Sequence, residues 1–245
     1  MTHASRVGHS HTGARRRYLT QLAAAARGFA KCITFACLGA CAASSFCLAA
    51  GLTVTVLDRS GHALPEVVVT AAPTPEVHSA PAASHATAIM DQRNIAFVPQ
   101  VLVVGVGTSV DFPNNDTVSH QVYSFSPAKR FQLPLYKGAL HPPVTFDKAG
   151  LVVLGCNIHD QMVGYIYVTD APFYGKTDAQ GTVHLSNGAG DYVLTLWSPY
   201  IADPAATLTQ TVHVGAAEST STQIQLTRDL RARPEPRPRR ADWEY

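Results

Sequence analysis

The chain has few cysteines, and most of them lie in one short segment. Its 245 residues include five cysteines, and four of these, Cys32, Cys37, Cys41 and Cys47, precede residue 50. The rest of the chain keeps a single thiol, that of Cys156. A lone thiol excludes an internal disulfide in that part and leaves a residue whose chemistry needs an explanation.

The first fifty residues also lack acidic side chains. They carry six basic residues, and the last of these, Lys31, is followed by an apolar stretch that ends in small residues at Ala49 and Ala50. This order predicts an export signal over residues 1–50 and a periplasmic protein. Two alternatives remain for this segment: a lipidated Cys41, or an uncleaved membrane anchor, because about 19 apolar residues come near the spanning minimum.

Excess positive charge is absent from the body of the chain. Residues 51–227 hold seven basic and thirteen acidic side chains, a net charge of −6, and the overall +2 comes from the two ends. A body of this charge is a poor binder of polyanions, so no nucleic-acid partner is expected.

Sustained helical periodicity is missing between Thr87 and Asp170, where short alternating segments are separated by turns. The 16 prolines and 17 glycines favour the same turn-rich organisation. Segments such as "LTVTVLD" from Leu52 and "GDYVLTLW" from Gly190 have the period of two that is typical of half-buried strands. The sequence therefore predicts an all-β fold.

Three soft side chains lie close together in "LGCNIHDQMVGY", where Cys156, His159 and Met162 follow an apolar run. A fourth candidate, His120, begins another predicted strand 36 residues upstream of Cys156. Two histidines, one thiolate and a more distant methionine match the donor set of a blue-copper site. We therefore expect these four residues to hold one type-1 copper ion.

Two other interpretations of these residues remain. A structural zinc site prefers four Cys or His ligands, and methionine is a poor zinc ligand. A Cys–His nucleophile would need an oriented base and an oxyanion hole, and only Asp160 suggests either of them.

The segment "AFVPQVLVVGVGTSVDFPNNDTVSHQVYSFS" together with "VTFDKAGLVVLGCNIHDQMVGYIYVTD" resembles the cupredoxins, the plastocyanin and amicyanin type of copper protein. The resemblance implies a Greek-key β-sandwich, with His120, Cys156, His159 and axial Met162 as copper ligands. It also implies that His159 is the ligand nearest the surface. Many cupredoxins have an asparagine directly before the first histidine, where this chain has Ser119, so Asn114 or Asn115 is the expected brace for the thiolate.

The segments outside this region resemble a small prealbumin-like or carboxypeptidase-regulatory-like β-sandwich. We expect the cupredoxin region to be inserted into that sandwich. The alternative is one larger sandwich or two consecutive domains. The predicted division is an export signal (1–50), first strands of the outer sandwich (51–72), a linker (73–86), the cupredoxin domain (87–170), the rest of the outer sandwich (171–227) and a disordered tail (228–245).

The function expected from the resemblance is electron transport by an exported, non-enzymatic blue copper protein. A redox protein such as a cytochrome or a dehydrogenase is the expected partner, and its identity is open. The alternatives are a copper-binding or copper-delivery module and an electron-transfer subunit of a larger oxidoreductase assembly.

Overall fold

The computed structural model describes residues 51–75, 86–138, 142–201, 208–216 and 219–231. The predicted export signal and most of the predicted linker and of the predicted tail lie outside these ranges. Within them, no helix has the length and hydropathy that crossing a membrane would require.

The described residues form strands and no helix, as the alternating sequence pattern predicts. In chain order the strands are β1 (Leu52–Leu57), β2 (Val68–Thr74), β3 (Thr87–Ile89), β4 (Asp91–Arg93), β5 (Ala96–Val98), β6 (Val101–Gly105), β7 (Thr108–Asp111), β8 (Tyr123–Ser126), β9 (Lys129–Gln132), β10 (Val144–Phe146), β11 (Gly150–Gly155), β12 (Val163–Thr169), β13 (Phe173–Lys176), β14 (Thr182–Leu185), β15 (Gly190–Trp197), β16 (Leu208–Val214) and β17 (Thr220–Gln225).

The strands from the two ends of the described chain pair with one another, and we call the pair of sheets that they form the outer sandwich. One sheet has the order β14-β1-β17 and the other β13-β2-β15-β16. Alternate residues of β1 are fully buried, among them Val54, and pack with Val69 and Leu194 in one apolar core. The period of two thus places one face of each strand in the core.

The partners of the first strands bear on the insertion hypothesis. Pairing of Thr53–Leu57 with Tyr192–Trp197 would support it, and pairing with Val101–Val104 would contradict it. β1 makes neither pair: it is antiparallel to β14 and parallel to β17, and β2 pairs with β15. In addition, β2 continues to Thr74, into the predicted linker. The division into domains near residues 87 and 170 stays a prediction.

The strands between β2 and β13 form a second set of sheets, which we call the inner sandwich. A five-stranded sheet has the order β6-β12-β11-β8-β9, a three-stranded sheet has the order β10-β7-β3, and β4 and β5 form a hairpin. Their shared core includes Phe97, Phe146, Leu154 and Ile166, and Cys156 and Met162 belong to the same buried cluster. Two of the predicted ligands therefore lie in the core of the inner sandwich.

The two sandwiches meet at a small apolar interface. Trp197 at the end of β15 packs with Val68, Val101, Tyr165 and Tyr167. Polar contacts reinforce the interface: Lys176 Nζ donates to the carbonyl oxygen of Val101 at 2.8 Å and pairs with Glu66.

Candidate metal centre

Three side chains that can bind a metal ion converge in the inner sandwich. Cys156 directly follows β11, and His159 lies in the short loop between β11 and β12, where its carbonyl oxygen accepts the N–H of Met162 at 2.8 Å. His120 lies between β7 and β8 and forms a β-bridge with Tyr136, with N–H to O distances of 2.9 Å in both directions. The sheet thus brings the loop between β11 and β12 close to His120.

The spacing of the donor atoms fits a single ion. His120 Nδ1 and His159 Nδ1 are 3.2 Å apart, and Cys156 Sγ is 3.8 Å from each of them. The point equidistant from the three atoms is about 2.1 Å from each, within the roughly 2.0–2.3 Å of metal bonds to histidine nitrogen and cysteine sulfur. A single metal ion would fit between these three donor atoms.

The surroundings of Cys156 favour the thiolate. Burial alone would raise the pKa of this thiol, but hydrogen bonds from His120, from the backbone N–H groups of Gln121 and Ile158, and from His159 outweigh burial. Together they lower the pKa of Cys156 from 9.0 to about 6. The thiolate is the form of cysteine that binds metals. The site therefore favours the negatively charged sulfur that a metal cation needs.

His120 is fully buried, whereas His159 is only partly buried. His120 Nε2 lies 3.0 Å from Asp116 Oδ2, a carboxylate whose own side chain is almost completely buried. Burial acts to lower the pKa of His120, and the hydrogen bonds to Cys156 and Asp116 outweigh it and raise the pKa. Because His120 is fully buried and His159 is not, the imidazole of His159 has more access to solvent.

Met162 lies next to this group in the chain and in the core. Its side chain is 1% exposed and belongs to the same apolar cluster as Cys156. The residue directly precedes β12, and its N–H donates to the carbonyl oxygen of His159. Its assignment as axial ligand stays a prediction, as do the ligand roles of His120, Cys156 and His159.

The two asparagines expected to brace the thiolate make other contacts. The Asn114 side chain donates to the carbonyl oxygens of Val118 and Tyr136, at 3.0 and 2.8 Å. Asn115 donates to the carboxylate of Asp91. Besides the two histidines, the thiolate accepts hydrogen bonds from main-chain N–H groups. Through its own two contacts, Asn114 supports the loop that carries His120.

Asp116 is the polar residue of the site that the sequence does not single out. It lies four residues before His120, but the intervening residues are loop and bend, so no helical spacing relates the two. The one available signal is the pairing of an acidic residue with a predicted ligand histidine, which is a common arrangement around metal-binding imidazoles.

No protein-family model matches the chain, and no curated protein matches it. Solved structures do. The purple cupredoxin from Nitrosopumilus maritimus is 26% identical and aligns with 34% of this chain and 99% of its own, with a TM-score of 0.30. A reduced Cu(I) form of an amicyanin variant is 24% identical and aligns with 36% of this chain and 85% of its own, with a TM-score of 0.32.

A third similar structure is the Cu-containing nitrite reductase from Thermus scotoductus. It is 29% identical, aligns with 33% of this chain and only 22% of its own length, and has a TM-score of 0.30. Cupredoxins are thus among the structures to which this chain is similar, as the sequence resemblance predicts. One of the three is an enzyme by its name.

Proposed function

We propose that this protein is an exported type-1 copper protein that carries single electrons between redox partners. The observation that carries the proposal is the triangle formed by His120 Nδ1, His159 Nδ1 and Cys156 Sγ, with sides of 3.2, 3.8 and 3.8 Å. Two imidazoles and a thiolate in a trigonal arrangement, beside a buried thioether, form the donor set of blue-copper sites. The basic and apolar segment over residues 1–50 supports export to the periplasm.

The residues present fit copper better than zinc. A closed zinc site takes four nitrogen or sulfur ligands of the Cys and His type, whereas the group here has three, and Met162 is the soft residue beside them. A copper ion held here would supply a Cu(II)/Cu(I) couple for one-electron exchange. His120, Cys156 and His159 would hold it, with Met162 as the weak axial donor.

A rapid electron carrier requires ligands that do not rearrange, and the fold restricts the movement of these side chains. His120 forms two main-chain hydrogen bonds with Tyr136, and the Cys156 sulfur accepts hydrogen bonds from the backbone N–H groups of Gln121 and Ile158. Side chains held by packing and by surrounding hydrogen bonds keep a fixed geometry. The ligand atoms therefore stay in place whichever charge the ion carries.

His159 is the natural point of contact with a redox partner in this proposal. It is partly buried, while His120 is fully buried, and its neighbour Ile158 is 52% exposed. Val118, on the loop that carries His120, is also exposed. Partial exposure of His159 is therefore the feature that makes it the expected contact for a redox partner.

Addition of Cu(II) to the purified metal-free protein tests the proposal. We expect an intense blue colour from the bond between copper and the Cys156 thiolate, saturating at one copper per chain. The matched control is Cys156→Ser, which should bind copper without this colour. A colourless wild-type complex would contradict the type-1 site.

A second measurement addresses electron transfer itself. We expect the blue form to be bleached by reduction with a cytochrome-like protein and restored by reoxidation over repeated cycles. A blue protein that no protein partner reduces or reoxidises would point to copper storage or delivery instead.

A further inference from the structure

Tyr136 forms an isolated β-bridge with His120, one of the predicted ligands. The N–H of each residue donates to the carbonyl oxygen of the other at 2.9 Å. The carbonyl oxygen of Tyr136 also accepts a hydrogen bond from the Asn114 side chain at 2.8 Å. The position of the His120 main chain therefore depends on the position of Tyr136.

The phenol of Tyr136 is held from two sides in the core of the inner sandwich, where the residue is 7% exposed. Its Oη donates to the carbonyl oxygen of Phe112 at 2.5 Å and accepts a hydrogen bond from Nε2 of Gln92, also at 2.5 Å. Phe112 directly follows β7, and Gln92 lies in β4. The phenol thus joins two separate segments of the inner sandwich to the residue that pairs with His120.

Gln92 is fully buried, and the orientation of its amide is fixed. Besides the phenol, Nε2 faces the carbonyl oxygens of Phe112 and Pro113, at 3.3 and 3.2 Å. Only the NH₂ end of an amide can bond to carbonyl oxygens, so these two groups determine which end faces Tyr136. Oε1 has no hydrogen-bond partner among the described residues. An unpaired buried polar atom costs stability, and here that cost accompanies the contact that fixes Tyr136.

We propose that Tyr136 is a positioning residue whose phenol, bonded to Gln92 and Phe112, keeps the His120 imidazole in one place in both charge states of the ion. The part of this inference that concerns electron transfer rests on the proposed function. The part that concerns the attachment of His120 is a property of the metal-free chain.

Rigid attachment matters at His120 because this residue lies apart from the loop that carries the other candidate ligands. Cys156 and His159 are three residues apart, whereas His120 comes from the connection between β7 and β8. A ligand that shifts when the ion changes charge slows electron exchange, because each transfer must wait for the rearrangement. Ligands keep a precise geometry only where packing and surrounding hydrogen bonds hold them. Tyr136 supplies this support on the His120 side of the site.

Amide hydrogen exchange in the metal-free wild-type protein tests the attachment first. We expect the N–H groups of His120 and Tyr136 to be protected like the N–H of Ile166, in the central strand β12. Exchange of these two amides at the rate of the exposed Gly188 amide would overturn the inference, whether or not any variant folds and whether or not copper binds.

Tyr136→Phe removes the phenol oxygen and keeps the ring. We expect the His120 amide to exchange about tenfold faster, the equivalent of one lost hydrogen bond, and the Ile166 amide to change less. Equal acceleration of both amides would show a general loss of stability instead of a local release of His120, and would overturn the inference. The matched control is Tyr200→Phe, because Tyr200 is also 7% exposed and its phenol bonds to Gln100. In this control the His120 amide should keep its wild-type rate relative to Ile166.

Gln92→Met provides a second variant in case Tyr136→Phe does not fold. It removes the Nε2 donor and leaves the bond from the phenol to Phe112 in place. We expect the same selective acceleration of the His120 amide, smaller than in Tyr136→Phe. A folded Gln92→Met protein with the wild-type ratio of the His120 and Ile166 exchange rates would contradict the proposed role of the phenol.

The copper-loaded proteins test the effect on electron transfer. We expect the Cu(I)/Cu(II) self-exchange rate, measured by NMR line broadening, to fall several-fold in Tyr136→Phe and to stay unchanged in Tyr200→Phe. If the wild-type protein does not turn blue with copper, the proposed function fails, while hydrogen exchange still decides the attachment of His120. If it is blue and a folded Tyr136→Phe protein keeps the wild-type self-exchange rate, the electron-transfer part of this inference fails and the function stands.

Discussion

Trp197 of the outer sandwich packs against Tyr167 of the inner sandwich, with ring centroids 5.4 Å apart. Tyr165, two residues earlier on β12, packs against the same indole, with ring centroids 5.8 Å apart. β12 begins one residue after Met162. The strand that carries the contact with the outer sandwich is therefore also the strand that closes the metal-binding loop.

Removal of this contact should destabilise the protein. For Trp197→Ala we expect a loss of about 3–5 kcal/mol in the free energy of unfolding, since Trp197 is only 8% exposed and large buried aromatics cost this much when they are truncated. Chemical denaturation followed by circular dichroism measures it. Phe125→Ala is the control, because Phe125 is 71% exposed and should change stability by less than about 1 kcal/mol. Equal effects for the two variants would show that the aromatic interface does not stabilise the fold.

The alternating sequence pattern predicted the strands well and their partners less well. The period of two along "LTVTVL" places alternate residues of β1 in the core, as observed. That period identifies the buried face of a strand but not the neighbouring strand, because β14, β15 and β17 lie in similar segments that are distant in sequence. The choice of β14 and β17 as neighbours of β1 depends on long-range packing.

The metal centre was also predictable only in part. The close sequence spacing of Cys156 and His159 and the strand position of His120 were enough to predict that the three side chains meet. The groups that surround them were not predictable, because the N–H donors to the thiolate belong to the main chain and main-chain groups leave no trace in residue type. Asn114 or Asn115 was expected to brace the thiolate, but Asn114 donates to the carbonyl oxygens of Val118 and Tyr136, and Asn115 donates to Asp91.

Close packing at Gly164 gives a second test of the inner sandwich. A Cβ atom added to this glycine would lie 2.9 Å from three atoms of Phe97, whose side chain is buried. Since these atoms include the Phe97 Cβ, the neighbour cannot swing aside, and we expect Gly164→Ala to cost about 1–3 kcal/mol of folding free energy. Gly188→Ala is the control, with nothing within 4 Å of the new carbon. Thermal unfolding of both variants measures the difference, and equal midpoints would contradict the packing described here.

The lowered pKa of Cys156 predicts how the metal-free protein responds to pH. Burial opposes the shift, but the hydrogen bonds to the thiolate lower the pKa from 9.0 to about 6. The native state thus binds fewer protons than the unfolded state in this window, so the contribution of Cys156 to stability is fully present above about pH 9 and is lost as the pH falls through about 6. His120 acts in the opposite sense, since its pKa is raised.

The ultraviolet absorbance of the thiolate isolates the cysteine from the histidine. We expect a titration midpoint near pH 6 in the metal-free wild-type protein and no such transition in Cys156→Ser. A midpoint near 9 would mean that the hydrogen bonds from His120 and from the N–H groups of Gln121 and Ile158 do not stabilise the thiolate.

Met162 offers a test in which two substitutions should act in opposite directions. Met162→Leu conserves volume and hydrophobicity, so it should cost less than about 1.5 kcal/mol of stability, but it removes the thioether. Without this weak donor, Cu(II) loses more stabilisation than Cu(I), and the reduction potential should rise. Met162→Gln supplies a harder oxygen donor that favours Cu(II), so the potential should fall. Both proteins should stay blue, because His120, Cys156 and His159 are unchanged. Visible spectra and redox titration measure these effects, and a shift of the same sign in both variants would show that Met162 acts through packing rather than as a ligand.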